Sequence, residues 1–155
     1  MSEQQLSGTR KQNSEQRRGR HAWTSIQEIK GLTDKSHKER EKKYRSLARG
    51  FNAMLQINGL GQTFGFICAK SKPDKQKSEV RNEYYYFAQH ITNWMKENFR
   101  ANNIAVMEKE QNGFLTWIID NDTTSADYRR ATTECLALGV WLRRFAEAEL
   151  EGEEA

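Results

Sequence analysis

The stretch SEVRNEYYYFAQHITNWMKENF, residues 78–99, decides the fold. Within it Val80, Tyr84, Phe87, Ala88, Ile91, Trp94 and Met95 follow the i, i+4, i+7, i+8 spacing that gathers apolar groups on one face of a helix. Ser78 stands where such a helix needs a side-chain cap. No other stretch carries so strong a helical signal.

Moving towards the N-terminus, Lys70–Lys77 reads as a polar, basic loop around Pro73, the single proline. Before it, Leu60–Ala69 (LGQTFGFICA) is apolar nearly all round, the pattern of a helix buried in the centre of its domain. Gly61 and Gly65 would let a neighbour come close. A longer helix precedes it. Ser36 and Glu39 form an S-x-x-E capping box, and Asn58-Gly59 supplies the left-handed stop. Tyr44, Leu47, Ala48, Phe51 and Leu55 share its core face. Gly50 inside it costs roughly 1 kcal/mol against alanine, and a close helix contact would account for it. Ala22–Ile29 is a short helix with Trp23, Ile26 and Ile29 on one face, ended by Gly31. Residues 1–20 hold Arg10, Lys11, Arg17, Arg18 and Arg20 with almost no large apolar group. Such a segment cannot offset its ordering entropy, so a disordered basic tail is expected. Two roles stay open for it: an arm on RNA, or a solvated end.

Towards the C-terminus, Asn112-Gly113 lies between two apolar runs, 104–107 and 114–119. This pattern reads locally as a hairpin, yet an isolated hairpin is marginal in water. A loop followed by a short helix over 114–119 fits better. A second capping box, Thr124-x-x-Asp127, opens the last helix. Its core face is Tyr128, Ala131, Cys135, Leu138, Leu142 and Phe145, and it ends among the acids Glu147, Glu149, Glu151, Glu153 and Glu154. The expected architecture is all-α, a compact bundle of about five to six helices. Its parts are a basic tail over 1–20, a helical domain over 21–150 and an acidic tail over 151–155.

The chain has 155 residues, a formal charge of +4 and 30% charged residues. That suits one domain that needs no staples. Cys68 and Cys135 lie in apolar stretches and read as reduced core thiols of a cytoplasmic protein. No apolar run approaches the ~20 residues that span a bilayer, so no membrane partner is expected. Catalytic chemistry is hard to assemble. His21, His37 and His90 are scattered and show no metal-ligand spacing. His90 reads as a partly packed or surface residue. Asp120 and Asp122 sit ahead of a helix start, where acids favour the macrodipole. No phosphate-cradling glycine loop with its lysine is present. No metal, cofactor or small-molecule substrate is therefore expected.

Partner chemistry is better represented. Lys38, Lys42, Arg45 and Arg49 share one face of their helix, and the loop 70–77 extends it. This is an electrostatic footprint for phosphates, or else a solvated face partly neutralised by Glu39 and Glu41. Trp141 lies off the core face of its helix, in line with Glu134, Ala137, Arg144 and Ala148. It reads either as an interface anchor or as a tryptophan packed under another helix of the same domain. From these residues alone, a subunit of an RNA-containing particle and a free-standing nucleic-acid-binding or adaptor protein are both admissible.

Two strings narrow the choice. Lys43-Tyr44-Arg45-Ser46-Leu47-Ala48-Arg49 is followed by Asn58-Gly59-Leu60-Gly61-Gln62-Thr63. Tyr128-Arg129-Arg130-Ala131-Thr132 is followed by Glu134 and by Trp141-Leu142-Arg143-Arg144-Phe145-Ala146-Glu147-Ala148. In order and spacing they resemble the small helical subunit of the type III-B CRISPR RNA-guided effector, the Cmr complex, over about residues 21–150. That resemblance implies a compact helical bundle whose copies stack into a minor filament. Beside it would run the backbone filament that holds the CRISPR RNA. It implies contact with CRISPR RNA and target RNA and with the backbone and large subunits. Target cleavage would belong to the backbone subunit, and cyclic-oligonucleotide synthesis to the large one. On this basis Gln62 and Arg129 join Lys38, Lys42, Arg45 and Arg49 as candidate RNA contacts. Arg130, Glu134, Trp141 and Arg144 are candidate subunit contacts.

Overall fold

The computed structural model describes residues 13–72 and 81–152. Among them are six α-helices, one 3₁₀ turn and no strand: α1 (Ser14–Gly31), α2 (His37–Asn58), α3 (Leu60–Lys70), α4 (Glu83–Asn98), the 3₁₀ turn (Ile104–Glu108), α5 (Gly113–Ile118) and α6 (Ser125–Glu149). The all-α bundle expected from the sequence is the fold observed.

α1 starts earlier than its apolar residues announce. Residues 14–20, expected as tail, form its first two turns. Asn13 accepts the Gln16 N–H while the Gln16 side chain accepts the Asn13 N–H, a reciprocal cap. Gly19, Ala22, Ser25, Ile26 and Ile29 face inward. Trp23, expected beside Ile26 and Ile29, is 44% exposed and meets the Phe145 ring edge-on at the rim. The expected disorder of residues 1–12 lies outside the described residues.

α2 is placed by an ion pair, not by the expected capping box. Ser36 makes no side-chain cap bond. Instead Asp34, two residues earlier, accepts two bonds of 2.7 Å from the Arg40 guanidinium. Arg40, only 4% exposed, also donates to the Arg81 carbonyl and lies over the Tyr86 ring. Pairing at this depth is what makes a buried guanidinium tolerable. Tyr44, Leu47, Ala48, Phe51 and Leu55 are all buried as their spacing requires. Gly59, at φ 81°, ends α2 and starts α3.

α3 is buried on one side, not all round: Phe64 and Ile67 are fully enclosed while Phe66 is 44% exposed. The start of α4 also differs from expectation. Its cap is Asn82, which accepts the Tyr85 N–H and donates to the Lys70 carbonyl, so it ties the two ends of the intervening loop together. Ser78, expected as that cap, and Val80 lie outside the described residues. Phe87, Ala88, Ile91, Trp94 and Met95 are buried as predicted.

The segment between α4 and α6 contains no hairpin. Asn103 holds it in shape: its Oδ1 accepts the Trp117 indole N–H, and its amide donates to Asp120 and Thr123. Asp120 thus has a structural partner, and Asp122 donates its N–H to the same carboxylate.

α6 is the axis of the bundle. It runs parallel to α1, with Arg18 opposite Glu134 and Gln27 opposite Glu149. It runs antiparallel to α2, with Asn52 on the Leu136 carbonyl and Tyr128 on the Gly61 N–H. Thr124 caps it by accepting the Asp127 N–H. Close approach of α2 and α6 depends on Gly139, where a Cβ would strike the Asn52 side chain and sit 3.2 Å from Phe51. The glycines suspected from the sequence divide. A Cβ on Gly61 would lie 3.3 Å from the Tyr128 hydroxyl, whereas Gly50 and Gly65 face open space. Both cysteines are free and buried.

The Asp34–Arg40 pair makes a pH-dependent prediction. The Arg40 guanidinium holds the Asp34 carboxyl down at about 2, below its ordinary 3.8. A carboxyl depressed by folding stabilises the fold above its unfolded pKa and loses that contribution as pH falls through the folded value. Asp34→Asn should therefore lower the melting temperature at neutral pH. The gap to wild type should close between about pH 4 and pH 2, as thermal melts across that range would show.

Candidate nucleic-acid interface

The basic stripe expected on α2 is present. Lys38, Lys42 and Arg49 are exposed and Arg45 is half-buried. Lys42, Arg45 and Arg49 line a groove along the helix with Glu39, Lys43, Ser46 and Gly152. Acids temper it. Lys43 lies 3.9 Å from Glu39, and Glu147, bonded to Arg143 at 2.8 Å, sits within reach of Arg45 and Arg49. The Glu147 carboxyl is held below its ordinary value by the Arg143 hydrogen bond first, with Arg49 and Arg45 adding to it. The Arg45 Nε is buried without a hydrogen-bond partner among the described residues.

A second basic surface lies near the other end of α6. Arg100, Arg129 and Arg130 line an open cleft with Asn98, Phe99, Ala126, Thr133 and Glu134. Arg130 stacks over the Phe99 ring at 4.6 Å, donates to the Arg100 carbonyl and pairs with Asp127. Arg17 donates to Asn98 on the cleft's flank. Arg129 and Arg130, assigned different roles from the sequence, thus share one cleft. Gln62 is exposed in the first turn of α3, and the Gly61–Tyr128 bond puts it at the same end of the bundle as Arg129. At 1.5 Å per residue, the 18 positions from Arg129 to Glu147 place the two basic surfaces about 27 Å apart. The predicted RNA contacts are therefore two groups.

The candidate subunit contacts divide as well. Glu134 is half-buried at the wall of the Arg129–Arg130 cleft and is paired within the chain: it takes two bonds from Arg18, at 2.6 and 2.9 Å, and one from the Trp94 indole. The Arg18 bond, with the Trp94 bond behind it, keeps its carboxyl below the usual range against the opposing effect of burial. Trp141 is half-buried: it packs within the chain and keeps part of its surface open. Its ring packs on Gly19 of α1, where an added Cβ would lie 3.1 Å from it. Its indole N–H reaches Glu15, and it packs on Phe145. Arg144 is exposed and makes no ion pair with a described residue.

One polar cluster was misread in the sequence. His90 is buried, 5% exposed, and joins three helices. Its Nε2 lies 2.7 Å from Glu28, its Nδ1 2.7 Å from the Tyr44 hydroxyl, and its carbonyl accepts the His21 Nε2–H. A neutral ring satisfies all of these if Nε2–H donates to Glu28 and Nδ1 accepts from Tyr44. Tyr, His and Glu in a row resemble an activated nucleophile, but the Tyr44 side chain is fully buried and cannot meet a substrate. The cluster fastens α2, α4 and α1 together. The sequence held no sign of it, since its members come from three separate helices. Among the described residues no group of three or more His, Cys, Asp or Glu could hold a metal, and no helix is long and apolar enough to cross a membrane.

Placing Trp141 against α1 changes what its removal should do. Trp141→Ala should lower the stability of the isolated chain by roughly 1–3 kcal/mol, less than the ~3–5 kcal/mol of a fully enclosed tryptophan. Denaturant unfolding of the monomer measures this. A loss near zero would return Trp141 to the role of a free surface anchor.

With the geometry in place, comparison with known proteins identifies the lineage. A family model described as CRISPR-associated protein (Cas_Cmr5) matches residues 14–149, which is all of the chain from the first turn of α1 to the last of α6. The match starts at Ser14, where α1 starts, so it includes the first two turns of that helix. The chain belongs to the Cmr5 family and is a small accessory subunit of the type III-B CRISPR–Cas complex.

Proposed function

We propose that this subunit works without catalysis of its own, holding CRISPR RNA and target RNA through their phosphates while it stacks with further copies of itself into the minor filament. The observation that carries the reading is the alignment of Lys38, Lys42, Arg45 and Arg49 on one face of α2, in a chain of this family. Cations on a helix face attract a sugar–phosphate backbone without reading bases, as a subunit serving any guide sequence requires. Arg129 and Gln62 at the far end of α6 would extend the contact along the bundle. Stacking would use the outer face of α6, where Arg144 and the half-exposed Val140 remain available, and Arg130 at the rim of its cleft. The backbone and large subunits of the complex are the further partners, and the reading places the work in the cytoplasm. Target cleavage falls to those other subunits: in the Tyr44–His90–Glu28 cluster the hydroxyl that would have to react is enclosed in the core.

Substituting glutamine at Lys38, Lys42, Arg45 and Arg49 together tests the RNA contact. For single strands each phosphate contact contributes about 0.7 to the slope of log K against log salt. The fourfold variant should bind a mixed-sequence single-stranded RNA more weakly, with a slope shallower by up to about 3. A salt titration by fluorescence anisotropy reads both quantities. Unchanged affinity and slope would make the stripe a solvated surface and nothing more.

A further inference from the structure

The chain just past the end of α6 stays on the bundle and reaches the basic groove of α2. Leu150 is buried and anchors it. Beyond it, the Glu151 N–H donates to the Glu41 carboxylate at 3.2 Å. Gly152 packs on the Arg45 guanidinium so closely that a Cβ there would collide with it, and forms one wall of the groove beside Lys42 and Arg49. One turn before Leu150, Glu147 is bonded to Arg143, which chiefly lowers its carboxyl, and Arg49 and Arg45 add smaller attractions. The groove offers four cations, Lys42, Lys43, Arg45 and Arg49. Of the nearby acids, Glu39 lines the groove, Glu41 receives the Glu151 N–H, and Glu147 feels Arg49 and Arg45.

From this juxtaposition we propose that residues Glu147–Gly152 are an intramolecular occupant of the basic groove and compete with the RNA backbone for Arg45 and Arg49. This rests on the groove being an RNA contact. The physical logic is exchange. A phosphate approaching Arg45 meets Gly152 already seated there and a carboxylate already drawing on the same field. RNA therefore gains its contacts only by displacing the segment. A single small anion offers too little to drive the exchange, whereas a strand presenting several phosphates at once does so through their combined attraction. The groove is thereby biased towards extended strands over isolated phosphates.

Three variants test this by anisotropy with a labelled, mixed-sequence single-stranded RNA: the chain ended after Leu150, Glu147→Gln in the full chain, and Lys42→Gln with Arg49→Gln in the full chain. Ending the chain after Leu150 removes three glutamates and Gly152, and Leu150 stays to close the core. The shortened chain and Glu147→Gln should each bind about threefold to tenfold more tightly at about 50 mM salt. The gain should shrink at about 200 mM, as screening requires. The lysine–arginine variant should bind more weakly. If it does, and neither of the first two gains affinity, the groove holds RNA but the segment does not compete, and the proposal is overturned. If it binds as well as wild type, RNA does not use this groove and both readings fail. Melting curves of each variant verify folding. Should the shortened chain melt early, Glu147→Gln decides alone, because it alters one exposed i, i+4 pair and leaves the backbone intact.

Discussion

A carboxylate cannot be taken out of water without partners, and Glu134 is the place where this bundle meets that constraint. Its side chain is 21% exposed, and its three bonds come from Arg18 on α1 and Trp94 on α4. A half-buried charge left bare costs several kcal/mol, so these three helices have one relative register that satisfies it. Slide α1 by a turn along α6 and Arg18 leaves Glu134, while Gly19 leaves the Trp141 ring. The apolar core would tolerate several registers, because dispersion and burial are not directional; Glu134 would not. Two further polar contacts act in the same sense. His90 fixes α4 to α2 and α1 through Tyr44, Glu28 and His21. Asn52 fixes α2 to α6 where Gly139 lets them meet.

That register sets the layout of charge. α6 has 25 residues, about 37 Å, and carries the arginine cleft near its start and the acids at its end. The antiparallel run of α2 brings its lysine and arginine stripe alongside the acidic end. The α2 stripe and the last turn of α6, far apart in sequence, therefore lie beside each other. Arg129 and Arg130, near Phe99 and Arg100, keep a separate basic surface at the opposite end. A subunit built this way is electrostatically polar along its length, though its net charge is only +4. Charge distribution more than net charge governs how phosphates approach.

Much of this was legible in the sequence. The core faces of α2, α4 and α6 follow from 3.6-residue periodicity because helix burial is local geometry. Gly59 ending α2 and Thr124 opening α6 follow from local backbone chemistry. The α2 stripe follows from the same periodicity. What failed was non-local. The first two turns of α1 carry no large apolar residue, because their buried positions are Gly19 beneath Trp141 and Arg18 against Glu134, and neither looks like a core residue in isolation. Ser36 looked like a cap, but Asp34 serves the start of α2 because Arg40 is turned inward onto it. Gly50 looked like a contact glycine, yet Gly139 is the one that α2 approaches.

The sequence by itself determined that this chain is a helical bundle, where its longer helices run, which of their faces are apolar, and that one helix is striped with cations. All of these are properties of residues within a few turns of one another. Only the tertiary structure decided that Trp141 meets α1 and Glu134 meets α1 and α4, that His90 is an internal fastener, and that the predicted RNA contacts form two surfaces. It also decided that Gly152, just past the end of α6, packs against Arg45 at the basic groove of α2. The physical reason is that each of these depends on which buried polar group finds which partner across the bundle, and such pairings carry no periodic mark along the chain.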